Sequence, residues 1–227
     1  MVAHSIGGKM EVVMGTSRDA PSEPLWKEPT QTRSRERVDR MLDATRQLIR
    51  AGGAYGFTMQ DVAQGADVPV GSLYQFFPDR NALLARLFAD FQQRVDALID
   101  KRFGAVDSAD ELETAATSLV GVMYRLVQRD SMHAEVWRAV QASPALRHLD
   151  TEATRRNAKR VYEVARPFVP EDVPNKRLRI TSSMICGLAG ATVLSALEQS
   201  KAGGSAHVRE FAEMARCYIG ALLEGAS

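Results

Sequence analysis

The sequence predicts an all-α protein of about nine or ten helices, and three observations carry that expectation. Apolar residues recur at i, i+3, i+4 and i+7 over long stretches. Proline is absent between Asp79 and Ser143 and again after Pro174, so long helices are permitted where that period occurs. No stretch alternates apolar and polar residues as a half-buried strand does, and no internal repeat is visible.

Taken in order, residues 1–30 hold Gly7, Gly8, Gly15, Pro21, Pro24 and Pro29 without a sustained period and read as a flexible tail. Its basic residues Lys9, Arg18 and Lys27 are thinly spread, and Met10 and Met14 offer alternative translation starts. Val38, Met41, Leu42, Thr45, Leu48 and Ile49 then form the stripe of a first helix, which stops in the glycine-rich Gly52–Gly56 exit. Thr58 is placed to cap a short helix through Val62 and Ala63. A turn at Gly65–Val68 follows, and Pro69 suits the first turn of a third helix through Leu73, Tyr74 and Phe77. Asp79 is placed to cap a long helix carrying Leu83, Leu84, Leu87, Phe88, Phe91, Val95, Leu98 and Ile99, broken near Gly104. Further amphipathic segments run over roughly 109–130, 132–142, 151–168, 175–200 and 205–223, with Ala202-Gly203-Gly204 read as a loop.

The composition narrows the function classes. The chain has 227 residues and a formal net charge of +1, which argues against a sequence-blind polyelectrolyte binder but permits a local nucleic-acid face. Cys186 and Cys217 form no disulfide framework or zinc spacing, and His4, His133, His148 and His207 are too scattered for a metal cluster. No metal or cofactor motif, and no nucleophile–base pair, is visible. The N-terminus lacks a signal-peptide pattern and no apolar run reaches the ~18 residues of a membrane span, so a cytoplasmic protein without a membrane partner is expected.

The informative stretch is Thr58–Phe77. Two short helices around a tight turn, with small Ala63 at the crossing, meet the requirements of a helix-turn-helix. Val62, Val68 and Leu73 can fill its core against Leu48 and Ile49, leaving Val70, Ser72, Tyr74 and Gln75 facing outward. Glutamine can read adenine edges, serine can pair with donors or acceptors, and tyrosine commonly bonds phosphate.

The run from Thr58 to Leu84 resembles the DNA-binding domain of the tetracycline-repressor (TetR) family, whose pattern is roughly T-x-x-x-I-A-x-x-A-G-V-S-x-G-x-L-Y-x-H/Y-F-x-x-K-E-x-L. Thr58, Val62-Ala63, Val68, Gly71, Leu73-Tyr74, Phe77 and Leu83 match. The resemblance implies a helix-turn-helix domain over 31–78 and a helical effector-binding and dimerisation domain over 79–227. It implies a homodimeric regulator, usually a repressor, that leaves a palindromic double-stranded DNA operator when a small molecule binds. By position, Thr58, Pro69, Val70, Ser72, Tyr74, Gln75 and Arg80 would meet DNA, with Arg33 and Arg35 near flanking phosphate or minor groove. Three departures bear on single contacts. Asp67 stands where the family usually has glycine, Pro69 replaces a serine, and Arg80-Asn81 replaces a Lys-Glu pair.

The head carries Arg33, Arg35, Arg37, Arg40, Arg46, Arg50 and Arg80 against Glu36, Asp39, Asp43, Asp61, Asp67 and Asp79, a mildly basic balance. Specific binding is therefore expected to depend on geometry and dimerisation as well as on phosphate contacts. In the body, Met123, Leu126, Met132, Trp137, Tyr162, Phe168 and Met184 are the candidate walls of a pocket for an apolar or aromatic ligand. Arg125, Arg129, His133, Glu135 and Gln141 are candidate polar selectors. Gly187, Gly190 and Leu194, with Phe211, Tyr218 and Leu222, are candidates for a dimer interface built by the last two helices, as the resemblance implies. The competing readings are a protein-interaction module whose helix-turn-helix no longer binds DNA and an all-helical enzyme.

Overall fold

The computed structural model describes residues 25–225. Nine α-helices follow one another among them: α1 (Thr32–Gly52), α2 (Met59–Gly65), α3 (Val70–Phe76), α4 (Arg80–Phe103), α5 (Ala109–Arg129), α6 (Ser131–Ala142), α7 (Arg147–Ala165), α8 (Asn175–Ala196) and α9 (Lys201–Leu223). A single 3₁₀ turn, Arg166–Phe168, extends α7. No strand occurs among the described residues.

The helix starts have local causes. The Thr58 hydroxyl accepts from the Asp61 amide at 3.2 Å, while the Asp61 carboxylate accepts from the Thr58 amide at 2.7 Å, a reciprocal capping box at the start of α2. Asp79 caps α4 by accepting from the Ala82 amide at 2.8 Å, and Ser108 caps α5 through the Glu111 amide. Pro69 stands one place earlier than predicted, as the residue that caps α3 rather than in its first turn.

The turn between α2 and α3 explains the departure at Asp67. The Val68 amide donates to the Ala63 carbonyl at 3.0 Å and the Asp67 amide to Gln64 at 3.2 Å, the paired bonds of a Schellman ending. That ending places Asp67 at φ 51°, the left-handed region where glycine is usual and aspartate is among the better-tolerated substitutes.

α1, α2 and α3 close around Met41, Leu42, Ile49, Phe57, Val62, Leu73 and Phe77, all buried. α4 then leaves this head and runs into the body, where it packs on α5, α6 and α7. α8 lies against α5, α7 and α9, and α9 against α5. α8 is long and apolar enough by length and composition to cross a membrane. Its apolar residues are divided here between the core (Leu178, Ala189, Val193, Leu194) and an exposed stripe (Ile180, Met184, Leu188).

Three expectations change. Leu25 and Trp26, assigned to a flexible tail, pack against the head core, and the Lys27 amide donates to the Phe76 carbonyl at 3.0 Å. The tail's residues 1–24 lie outside the described residues. α7 starts at Arg147 rather than near 151, and α8 ends at Ala196 rather than near 200. Ala202-Gly203-Gly204 is not a loop but the first turn of α9. A Cβ on Gly204 would lie 2.1 Å from the Tyr124 hydroxyl and 2.3 Å from the Ala196 carbonyl. The glycine is there so that α9 can approach α5 and the end of α8, and Ser200 caps the helix in front of it.

Asp67→Gly is expected to leave stability unchanged or raise it by up to about 1 kcal/mol, since relief of the left-handed strain is offset by unfolded-chain entropy. Asp67→Val should lower stability by about 2 kcal/mol, because a β-branched residue tolerates this backbone poorly. Urea unfolding midpoints of the two variants check the pair.

Candidate functional site

Large exposed hydrophobic side chains concentrate in two places. Val70 and Tyr74 stand on α3, and Ile180, Met184, Leu188, Met214 and Tyr218 stand on α8 and α9; among the described residues Tyr55 is the remaining one. Isolated exposed apolar residues need no explanation, but grouped ones mark surfaces that meet something.

On the head, α3 spends Leu73 on the core, with Phe76 packed partly against it. The opposite side presents Val70, Tyr74 and Gln75, all exposed, with Ser72 half-buried beside them. Arg33 and Arg35 are exposed in the first turns of α1. Two predicted DNA contacts are already occupied within the chain. The Thr58 hydroxyl donates to the Asp61 carboxylate at 2.8 Å, so its proton serves the cap and is not free for phosphate. These bonds, the side-chain one foremost, hold the Asp61 carboxyl below its ordinary range. Arg80 is half-buried: its guanidinium donates to the Phe57 carbonyl and lies 5.2 Å over the Phe57 ring. It braces the α4 start against the loop before α2, so this sequence-predicted DNA contact also has a partner within the chain.

A chain of contacts that sequence reasoning missed ties this head to the body. Arg50 at the end of α1 makes a two-point ion pair with Asp130, at 3.1 and 2.6 Å, and Asp130 also caps α6 through the Met132 amide. The Tyr55 hydroxyl donates to the Ala139 carbonyl at 3.3 Å. Arg46 bridges Asp43 and Asp90, Arg86 pairs with Asp90, and Glu28 lies 3.6 Å from Arg86. These charges join α1, α4 and the Leu25–Glu28 segment. Charge spacing along one helix cannot reveal pairs between residues 80 apart in sequence.

In the body, a cavity of about 50 Å³ lies where α4, α5, α6, α7 and α8 meet. Met123 and Trp137 line it, together with Phe91, Gln92, Asp150, Asn157, Cys186 and Gly190. The Trp137 indole donates to Asp150 at 2.9 Å, and Gln141 donates to the same carboxylate at 3.0 Å. Burial pushes the Cys186 thiol up to about 12, so it stays protonated. The other predicted wall residues are elsewhere: Met132 is buried in the core, and Leu126, Tyr162 and Phe168 pack partly against it. Met184 is 58% exposed on the outer face, so it is not an interior wall. Gln92 and Asn157 were missed, although each is a polar residue within an apolar helical stripe, and that was the available signal.

The outer face of α8 and α9 forms a groove of about 890 Å³ lined by Met184, Leu188, Phe211, Met214 and Tyr218. Phe211 and Tyr218 were expected at an interface and face this groove; Gly187 is exposed on the same helix as Met184 and Leu188. Gly190, Leu194 and Leu222 are corrections. Leu194 and Leu222 are buried in their own subunit, and a Cβ on Gly190 would lie 3.1 Å from the Trp137 ring. The small residue at 190 serves packing of α8 on α6 within one chain, not approach of a second chain.

Comparison with known proteins agrees with this arrangement. Residues 41–87 match the family described as bacterial regulatory proteins, tetR family, and residues 110–223 match the tetracyclin repressor-like C-terminal domain. The HTH-type transcriptional repressor KstR of Mycobacterium tuberculosis is 37% identical over 101 residues, 44% of this chain and 44% of that protein. The match thus spans less than half the length of that relative. The HTH-type transcriptional regulator BetI of Escherichia coli K12 is 24% identical over 175 residues, 75% of this chain and 89% of its own. Among solved structures, the fatty acid degradation regulator FadR from Bacillus halodurans superposes with a TM-score of 0.63 at 19% identity, covering 84% of this chain and 96% of that one. Salmonella enterica GusR gives 0.60 at 17% identity, covering 87% and 100%. At these identities the two structures share the fold.

His133, on α6, is a buried imidazole close to Asp130 at the head–body junction. Its ring is 3% exposed and lies 5.3 Å from Phe91, and Nδ1 has no hydrogen-bond partner among the described residues. Burial, only partly opposed by Asp130, holds the imidazole below its ordinary 6.5. The unfolded chain therefore binds this proton first on acidification. The contribution to stability is complete above about pH 6.5 and is lost as pH falls toward the lower folded value. Asp130, held low chiefly by its hydrogen bond from Arg50, adds a second loss below its ordinary 3.8. The melting temperature should fall between pH 7 and 5.5, and His133→Leu should flatten that slope. An unchanged slope in the variant would assign it to other groups.

Proposed function

Because the chain belongs to the tetracycline-repressor (TetR) family of transcriptional regulators, we propose that it is a homodimeric cytoplasmic repressor that leaves its operator when a small ligand enters the body. The observation that carries the DNA-binding part is the outward face of α3. Val70, Tyr74 and Gln75 stand exposed on a helix whose other side is anchored in the head core. Such a face suits the major groove, with Gln75 positioned to read a base edge and Tyr74 to meet base or phosphate. Arg33 and Arg35 supply charge at the flank, and Ser72 and Pro69 stand at the start of α3.

The groove on α8 and α9 supports the dimer. Pairing it with its own copy buries Met184, Leu188, Met214 and Tyr218 in an isologous four-helix contact. The two heads would then meet successive turns of a palindrome about 34–36 Å apart. The body cavity supports effector control, because its walls include α4 and α6. α4 carries the head directly, and α6 holds α1 through Arg50–Asp130. A ligand that favours one packing of α4 and α6 would change head separation by its difference in affinity for the two packings.

Incubating the protein with sheared DNA of its source genome and sequencing what is retained tests the reading. Enrichment of one or a few palindromic sites is the expected result, and the Tyr74→Ala, Gln75→Ala double variant should bind them at least about tenfold more weakly. Its helix content and melting temperature should stay unchanged, since both side chains are exposed. Unspecific recovery in the presence and absence of a ligand library would favour the interaction-module reading.

Dimerisation is tested separately. The wild-type chain should sediment as a dimer at micromolar concentration, and Leu188→Glu should yield a folded monomer with weakened operator binding. A wild-type monomer would remove the proposed interface.

A further inference from the structure

The chemistry of the effector is constrained by the cavity beside Trp137. Gln92 on α4 and Asn157 on α7 both line it, and they are 9% and 8% exposed. Among the described residues neither side-chain carbonyl oxygen has a hydrogen-bond partner. Buried acceptors without a partner are rare in folded proteins because desolvation is not repaid, so two at one cavity call for a donor. Asp150 adds a carboxylate to the same wall. Each of its oxygens takes one protein donor, Trp137 at 2.9 Å and Gln141 at 3.0 Å, so its position is set while its negative charge remains. Most of the rest of the lining is aliphatic or aromatic.

We propose that this cavity anchors the head of an effector bearing N–H or O–H donors, an amine or an alcohol on an apolar body, and that it selects against carboxylates. The inference rests on the effector-binding reading of the body given above. A donor head meets both unpaired carbonyls, whereas a carboxylate sets further acceptors against them and a second negative charge beside Asp150. The volume of about 50 Å³ is roughly a third of the ~150 Å³ void that admits benzene. The cavity as it stands therefore seats the head alone, and the body of a larger ligand requires the lining to open.

The chain has two tryptophans, so Trp26→Phe leaves Trp137 as the sole indole reporter. The full-length variant is titrated with n-butylamine, n-butanol and butyrate at pH 7.5, following Trp137 emission. The amine and the alcohol should give saturable changes at least about tenfold tighter than butyrate. Adding Gln92→Leu and Asn157→Leu should narrow that preference to the part that the Asp150 charge maintains, while the emission of the ligand-free protein and its melting temperature report whether the body remains folded. Should the double leucine variant unfold, the single variants Gln92→Met and Asn157→Leu carry the comparison. Butyrate binding as tightly as the amine, a preference left unchanged by the substitutions, or no saturable response to any probe overturns the proposal; the last result leaves trapped water as the occupant. Retention of the genomic palindrome is measured on the same protein without probes. A chain that retains it but ignores the amine and alcohol loses only the anchoring site. One that binds them in the carbonyl-dependent way but retains no DNA loses the regulator reading instead.

Discussion

The structure depends on one continuous helix whose buried side chains join head and body in a single hydrophobic core. The N-terminal turns of α4 bury Ala82, Leu83 and Leu84, and its later turns bury Phe88, Phe91, Val95, Ile99 and Phe103 among α5, α6 and α7. No proline or glycine interrupts Arg80–Phe103, so one unbroken helix runs from the head into the body. Arg80 ties the first turn of that helix to Phe57, and the Asp43–Arg46–Asp90–Arg86 charges tie its side to α1.

A second connection fastens the head to the body. The end of α1 is fastened to α6 by Arg50–Asp130 and by Tyr55 on the Ala139 carbonyl. The head is thus held by α4 and α6 together, and both form walls of the cavity. A surface ion pair alone contributes little, typically below about 1 kcal/mol. Here the Asp130 carboxylate also caps α6, so the pair fixes the orientation of a helix end as well as adding attraction.

Much of this was legible in the chain itself, and the residues show why. Thr58, Asp79 and the stripe Val38–Met41–Leu42–Thr45–Ile49 act within one helix or one turn, so spacing alone located them. Asp67 was legible as an oddity because only a left-handed turn position gives its replacement of glycine a physical meaning. The brace from Arg80 to Phe57 was missed because a cation near DNA and a cation bracing a carbonyl look the same in sequence. Gly203 and Gly204 were misjudged for a related reason. Glycine breaks helices by propensity, but a neighbour such as Tyr124, which requires close approach, is a tertiary fact.

The sequence by itself determined the all-helical class, the helix-turn-helix and its outward residues, because periodicity, caps and proline placement act over a few residues. Tertiary structure decided how the later helices divide their apolar residues. Leu194 and Leu222 go to the core while Met184, Leu188 and Tyr218 go to the surface, and Gly190 serves Trp137. It also decided that Gln92 and Asn157 meet at one cavity and that Arg50 finds Asp130. Burial and partnership between distant helices depend on crossing geometry, which the spacing of residues along any one helix does not contain.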